Sequence, residues 1–551
     1  MMSRTGAEIV TDILKKVGVR HVFGIVSIHN MPIVDAICRA DGIEMVTARN
    51  EQSATHMADG YARATGGLGV SLASTGPGTT NTVTGLYESA YASSRVLVVT
   101  GQAETTFYGK GKGYVHEAEN QKPMLESVAR SVASPKYISE LETQLVSVIE
   151  DIFSARPQPG AIEIPIDLQY ASSEALPLEI SLPAPVEADA ELIKKAVTEI
   201  KNTRRRVILA GGGIGLSGAS ETLREFAEKL DAPVLTTLNG KGALRDDHPL
   251  LLGPVLMSGP VLKVLSEADL LIAVGTRFQA FQAGVAGNQI SGPLPKLIHI
   301  DIDPRNINLN YKAEVGVVGD ARGTLQSLTL GTSEAGDAQF REKIKTAAAQ
   351  TKSANRERIG PDHAILLDSI TRYMDRDAFF VRDNTIPGYY WGNGLLPVFR
   401  PGGYIVPTSG AIGPGLPLGM GVAVATGTKT IIMHGDGGFM YHVGELATAA
   451  QYQMPIVVLV FNDGGFGVLR ALQANQFDGR INETELNTPD FVMLCESMGV
   501  KGLTVDDPAA FDSCLAQAMG HSGPVLININ VRNMIPLQGI VPAPADNGLG
   551  G

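Results

Sequence analysis

Short apolar runs that end in glycine or a polar turn alternate along this chain with longer stretches whose apolar positions return every three or four residues. In the first third, HVFGIV (21–26), IEMVTA (43–48), LGVSLAS (68–74) and RVLVVTG (95–101) have the length of strands. EQSATHMADGYARA (51–64), between the second and third of these, has helical period. RRVILAGGG, APVLTTL, LLIAVG and KLIHIDID repeat the pattern in the middle, and AFFVRD, TKTIIMHGD, MPIVVLVFND and GPVLININV repeat it in the last third. Apolar strands alternating with helices predict an α/β fold of three domains. Each is a mainly parallel sheet flanked by helices, with ligands at the carboxyl ends of the strands.

Two polar stretches read as linkers: SSEALPLEISLPAPVEAD at 172–189, and residues 331–361, from GTSEAGDAQF to the end of TKSANRERIGP. They set expected domains at 1–175, 189–335 and 358–551. Residues 401–428 carry no charge, yet PGGYIVPTSGAIGPGLPLGMG is too broken by glycine and proline for a simple spanning helix and reads as buried backbone packed against a ligand. The start, MMSRTGAEIVTDILKKVG, carries acids and a helical period rather than the apolar core of a leader. A formal charge of −12 excludes a nucleic-acid binder, and three cysteines imply no disulfide framework and a reducing compartment. The expectation is a soluble, cytoplasmic, enzyme-like protein without membrane or nucleic-acid partners.

GDGG at 435–438 follows one apolar strand, and NDGG at 462–465 follows the next. Between them lies FMYHVGELATAAQYQ, read as an amphipathic crossover helix, so Asp436 and Asp463, 27 residues apart, fall side by side at the carboxyl ends of neighbouring strands. Two carboxylates with a backbone carbonyl near Gly465 suit a hard Mg²⁺ or Ca²⁺ that also holds a diphosphate, whose oxygens the bare amides of Gly437 and Gly438 can approach. The bland alternative is two unrelated strand-to-helix turns, in which aspartate and glycine serve the turn alone.

This segment resembles the thiamine-diphosphate-dependent decarboxylases and carboligases, whose signature is Gly-Asp-Gly followed some two dozen residues later by Asn-Asn. Asp463 departs from that pattern, standing where the second asparagine, a metal ligand, is expected. The resemblance implies three domains, binding the pyrimidine, nothing certain, and the diphosphate in turn, with thiamine diphosphate and Mg²⁺ as cofactors. It makes Asp436, Asp463 and Gly465 the metal ligands. TARNEQSATHMADGYARATG (47–66) carries Glu51, the carboxylate that reaches the aminopyrimidine of a cofactor bound by the partner subunit and activates it. The bland reading of Glu51 is a helix N-terminal acid. PTSGAIGPGLPLGMG supplies Ile412 as a wedge under the bent cofactor and the Gly410 carbonyl as an acceptor, and RDNTIPGYYWGN supplies Asn384 and Thr385 as further diphosphate contacts. STGPGTTN (74–81) is similar to the family's first-domain glycine loop.

The overall layout looks closest to acetolactate synthase, whereas the expected substrate pocket does not. Val468 and Leu472 give an apolar wall similar to that of benzoylformate decarboxylase, with Leu472 where acetolactate synthases place a tryptophan. Ser27 and Ile28 in GIVSIHNMP replace a glycine pair, and His29 beside them matches a histidine of benzaldehyde lyase. GYVHEAEN presents His116 where many relatives carry glutamine. Two imidazoles near the reacting carbon can move protons at neutral pH, although each alone is as well explained by packing. The expected reaction is carbon–carbon bond cleavage or formation on 2-oxo acids, aldehydes or acyloins. An acyloin lyase and a catalytically inactive cofactor-binding relative are the alternatives. In the middle domain GGGIGLSG offers Gly213, Gly215 and Gly218, but APVLTTL lacks the acidic end of a dinucleotide site, so FAD or ADP is not favoured there. A site shared between chains requires at least a homodimer, with a homotetramer expected.

Overall fold

A computed structural model describes residues 3–174, 177–255, 258–279, 295–333 and 335–537. The outermost residues of the first and third expected domains, 1–2, 175 and 538–551, lie outside that set. Every strand expected from the apolar runs is present, and each belongs to one of three six-stranded sheets in which all strand pairs are parallel. Gly6–Lys16, whose period was visible, is a helix opened by a Thr5–Glu8 capping box.

Strand order gives the sheets their functional meaning. In the first, the spatial order begins Glu44–Thr47, His21–Gly24, Gly69–Ala73, so the chain reverses its direction of growth between the strands ending at Gly24 and Ala73. The third sheet repeats this order, Tyr404–Ile405, Phe379–Arg382, Thr430–Gly435, and reverses beside Asp383 and Asp436. Crevices open at such reversals, because the loops from the two central strands leave in opposite directions. The middle sheet reverses between Arg206–Ala210 and Leu270–Val274. There two glycines of GGGIGLSG pack against backbone: a Cβ on Gly211 would lie 2.2 Å from the Gly275 carbonyl oxygen, and one on Gly213 2.6 Å from the Gly275 Cα; Gly215 and Gly218 have no backbone that close.

Two expectations need correction. Residues 331–361 are not a linker, since Ala338–Arg358 is a 21-residue helix that buries Phe340, Ile344, Ala347 and Ala348 in the core of the middle domain. Its charged outer face gave the stretch its polar composition. FMYHVGELATAAQYQ is also not one helix. It is broken into Asp436–Phe439, a 3₁₀ turn Met440–His442, and Glu445–Gln451.

The uncharged stretch contains the helix Gly415–Thr426, which crosses Glu51–Thr65 of the first domain at backbone contact. A Cβ on Gly421 would lie 2.0 Å from the Met57 carbonyl oxygen, and one on Gly60 2.0 Å from that of Leu418, so only glycine fits at either point. First and third domains thereby share one core around Met57, Ala58, Leu416 and Met420. Among the described residues no helix is long and apolar enough to cross a membrane.

Candidate active site

At the reversal point of the third sheet, Asp383 organises the crevice. Its buried carboxylate accepts hydrogen bonds from the amides of Asn384 (2.8 Å), Gly413 (3.0 Å) and Gly415 (2.8 Å), which folds the segment around Ile412 over the end of the sheet. Asn384 then donates from Nδ2 to the carbonyls of Gly410 (2.8 Å) and Ala411 (2.7 Å), while its Oδ1 accepts from the Tyr389 hydroxyl at 2.8 Å. The sequence did not single out Asp383 or Tyr389: the Asp383 contacts that fold the site reach Gly413 and Gly415, about thirty residues on, and Tyr389 acts only by holding Asn384.

On the neighbouring strands, the pairing of Gly435 with Phe461 sets Asp436 and Asp463 at adjacent ends. Asp436 is fully buried, and neither of its carboxylate oxygens has a hydrogen-bond donor. Burial first, and the charge of Asp463 second, push its pKa up to about 7, and burial raises that of Asp463 as well. A buried carboxylate without donors beside the half-buried Asp463, whose Oδ2 lies 3.5 Å from Arg470 Nη1, has the chemistry to take a cation. The described residues hold no group of three or more His, Cys, Asp or Glu side chains suited to a metal, so the protein offers no closed cage. Coordination positions remain for a backbone carbonyl, water and diphosphate oxygens, the arrangement that suits Mg²⁺. The residues present fit the group.

The cradle is equally close-built. A Cβ on Gly437 would come within 2.8 Å of the Phe466 ring, and one on Gly438 within 3.0 Å of both Asp383 Oδ1 and Ile412 Cγ1. Only bare backbone fits in the first turn of Asp436–Phe439, directly beside Ile412. The resulting cavity, about 760 Å³, is lined by Asn384, Thr385, Gly410, Ile412, Asp436, Gly437, Gly438, Asp463, Gly465 and Val468. Phe466, Leu469, Asn528 and Asn530 also line it, and the sequence did not point to them.

Bare glycine amides, the carboxylates of Asp436 and Asp463 and the Ile412 side chain lie at one reversal point, and a sheet of the same strand order lies in the first domain. Sequence profiles agree along the chain: thiamine pyrophosphate enzyme, N-terminal TPP binding domain, at residues 4–124; central domain at 193–328; C-terminal TPP binding domain at 389–529. The chain belongs to the thiamine pyrophosphate enzymes. It is 32% identical to a probable acetolactate synthase large subunit of Methanocaldococcus jannaschii, over 95% of this chain and 91% of that one. It is 31% identical to an acetolactate synthase of Arthrospira platensis, over 96% and 94%. It is also 32% identical to a probable 2-ketoarginine decarboxylase of Pseudomonas aeruginosa, over 95% and 94%.

The remaining expected site residues of this thiamine diphosphate enzyme form a second cluster, at the reversal point of the first sheet. His29 is buried, its ring 5.3 Å from that of His116, and both ring nitrogens lack partners. Burial, then the neighbouring imidazole, lowers the His29 pKa, so the ring is neutral at physiological pH. His116 is exposed, and its carbonyl packs on the STGPGTTN loop, 2.2 Å from where a Cβ on Gly76 would stand. Gln121 ties the cluster together, accepting from the Gly76 amide at 2.8 Å and donating to the Gly101 carbonyl at 3.1 Å. Ser27 accepts from the His29 amide at 3.2 Å, and Ile28 is 57% exposed.

Glu51 opens its helix behind an Asn50 cap and accepts from Asn81 at 3.0 Å, facing the same glycine loop. None of Glu51, Ser27, Ile28, His29 and His116 lines the third-domain cavity of the same chain, and Leu472, 46% exposed, stands outside its lining. Within one chain the two clusters are therefore separate.

Proposed function

We propose that the protein uses thiamine diphosphate and Mg²⁺ to break or form the carbon–carbon bond next to the carbonyl of a 2-oxo acid with an apolar side chain, in a site completed by two chains. The donor-free Asp436 carboxylate facing Asp463 beside the glycine cradle carries this reading. Acetolactate synthases and a 2-ketoarginine decarboxylase among the relatives support the reaction class. Thiamine diphosphate, when bound, would supply a nucleophilic carbon and an electron sink for the broken bond.

Asp436, Asp463 and the Gly465 carbonyl hold the metal. The amides of Gly437 and Gly438 donate to the diphosphate, with Asn384 and Thr385 on its other side. Ile412 would support the cofactor, and the Gly410 carbonyl would accept a hydrogen bond from its pyrimidine. Glu51 of the partner subunit would hold a proton at the pyrimidine ring, and His29, buried beside His116, would pass a proton to the oxygen of the reacting carbonyl as it becomes a hydroxyl and take it back when that hydroxyl reverts to a carbonyl. Ile28, Val468 and Leu472, apolar and at the mouths of the two half-sites, favour an aliphatic or aromatic side chain over a charged one.

The test is turnover of pyruvate, benzoylformate, longer 2-oxo acids and acyloins, with products identified by mass spectrometry. Carbon dioxide release from an apolar 2-oxo acid, abolished in Glu51→Gln, is the expected result; full activity of Glu51→Gln would sink the mechanism. The close His29–His116 pair also favours a second reading, acyloin cleavage, which the same panel separates by aldehyde release without carbon dioxide. The middle domain, whose Gly211 and Gly213 pack on Gly275, is read as free of flavin, and purified protein is expected to lack flavin absorbance. A homotetramer in the cytoplasm completes the proposal. Three cysteines without a disulfide support a reducing compartment, and light scattering tests the assembly.

A further inference from the structure

Asp463 brings a second negative charge to a site that must also hold a diphosphate, and carboxylates beside phosphate oxygens repel them. An arginine lies beneath it. Arg470, on the helix Gly467–Gln476, is 1% exposed, and its Nη1 is 3.5 Å from Asp463 Oδ2. Its Nε and Nη2 have no hydrogen-bond acceptor, and the backbone is closed around it, with a Cβ on Gly465 falling 3.1 Å from Nη2. Gly467 leaves the room for this meeting, since a Cβ there would stand 1.9 Å from Asp463 Oδ2. Arg532, the other cation beside the loop, stands over Gly464 but is exposed, so water screens it. A buried guanidinium with unsatisfied N–H groups is unfavourable, and the Asp463 carboxylate is the group that offsets it.

We propose that Asp463 and Arg470 act as one net-neutral ligand unit. Asp463 offers its oxygen to the metal, Arg470 cancels the added charge from behind the loop, and the site keeps only the excess charge of Asp436. This rests on the metal–diphosphate reading above. Asp463 and Arg470 would then be exchangeable together for a neutral pair, and not singly.

The experiment measures Mg²⁺ affinity by titration calorimetry at saturating thiamine diphosphate, and the melting temperature of cofactor-free protein. It compares wild type, Asp463→Asn, Arg470→Met and the double variant. Asp463→Asn leaves a buried cation facing the metal and is expected to bind Mg²⁺ at least about tenfold more weakly. The double variant is expected to return to within about threefold of wild type and to regain most of the melting temperature lost in each single variant. A double variant that binds no better than Asp463→Asn, or an Asp463→Asn that binds like wild type, would overturn the pairing. If wild type itself bound no Mg²⁺, the cation reading would fall and this inference with it; wild-type binding with an unrescued double variant overturns the pairing alone.

Discussion

Asp436 is stabilised for binding and not for folding. A buried carboxylate without donors lowers the stability of the metal-free protein, and the proposed cation would relieve it. Asp436→Asn is therefore expected to raise the stability of the cofactor-free protein by about 1–2 kcal/mol while removing Mg²⁺-dependent cofactor binding. Thermal melts with and without thiamine diphosphate and Mg²⁺ measure both. A variant that melts lower than wild type when free of cofactor, yet still binds it, would contradict the role given to this residue.

Among elements, the crossing of Glu51–Thr65 with Gly415–Thr426 holds the first and third domains together. Backbone faces backbone there, so neither side can yield: Gly421→Ala is expected to lower the apparent melting temperature by several degrees, while Gly323→Ala, in the helix Ala321–Gly331 with open space around it, lowers it far less. Glu88 works between the same domains. Fully buried, it accepts from Arg63 (2.6 Å) and from the amides of Thr408 (2.6 Å) and Ser409 (2.9 Å), clamping the turn that leads into Gly410 and Ile412. Glu88→Gln is expected to weaken cofactor binding about tenfold with a smaller effect on the KM of the 2-oxo acid, because the turn supports the cofactor side of the site. Equal changes in both would assign Glu88 to general stability.

For the whole molecule, a site completed by two chains, as proposed, would make activity a property of pairs. Co-expressing Glu51→Gln and Asp436→Ala chains gives mixed dimers with one intact site, so inactive parents should yield about a quarter of wild-type activity. No activity in the mixture would place both halves in the same chain. The domain interface also titrates. His56 and His442 meet across it with ring centroids 5.6 Å apart, and burial holds both pKa values down to about 3. The folded values lie below the unfolded value near 6.5, so this contribution is complete above about pH 6.5 and is lost as pH falls toward 3, by up to ~1.4 kcal/mol per pH unit for each ring. The apparent melting temperature should fall on acidification through that window, and less steeply in His56→Leu.

Period, turn residues and spacing along the chain determined the strands, the three α/β domains and the cofactor motif, because each depends on neighbours within about thirty residues. Residues 331–361 misled for the same reason: a charged face dominated their composition, although Phe340, Ile344, Ala347 and Ala348 already stood at helical spacing. Only the tertiary structure decided where the strand order reverses, and hence that Asp383 folds the Ile412 segment over the site. It alone decided that Asp436 is without donors, that Glu88 reaches a turn some three hundred residues away, and that Arg470 lies under Asp463. It also separated Glu51 and the histidines from the diphosphate cradle of their own chain. Burial and charge balance are sums over segments distant in sequence, so no local pattern encodes them, whereas a strand or a glycine turn is written in its own few residues.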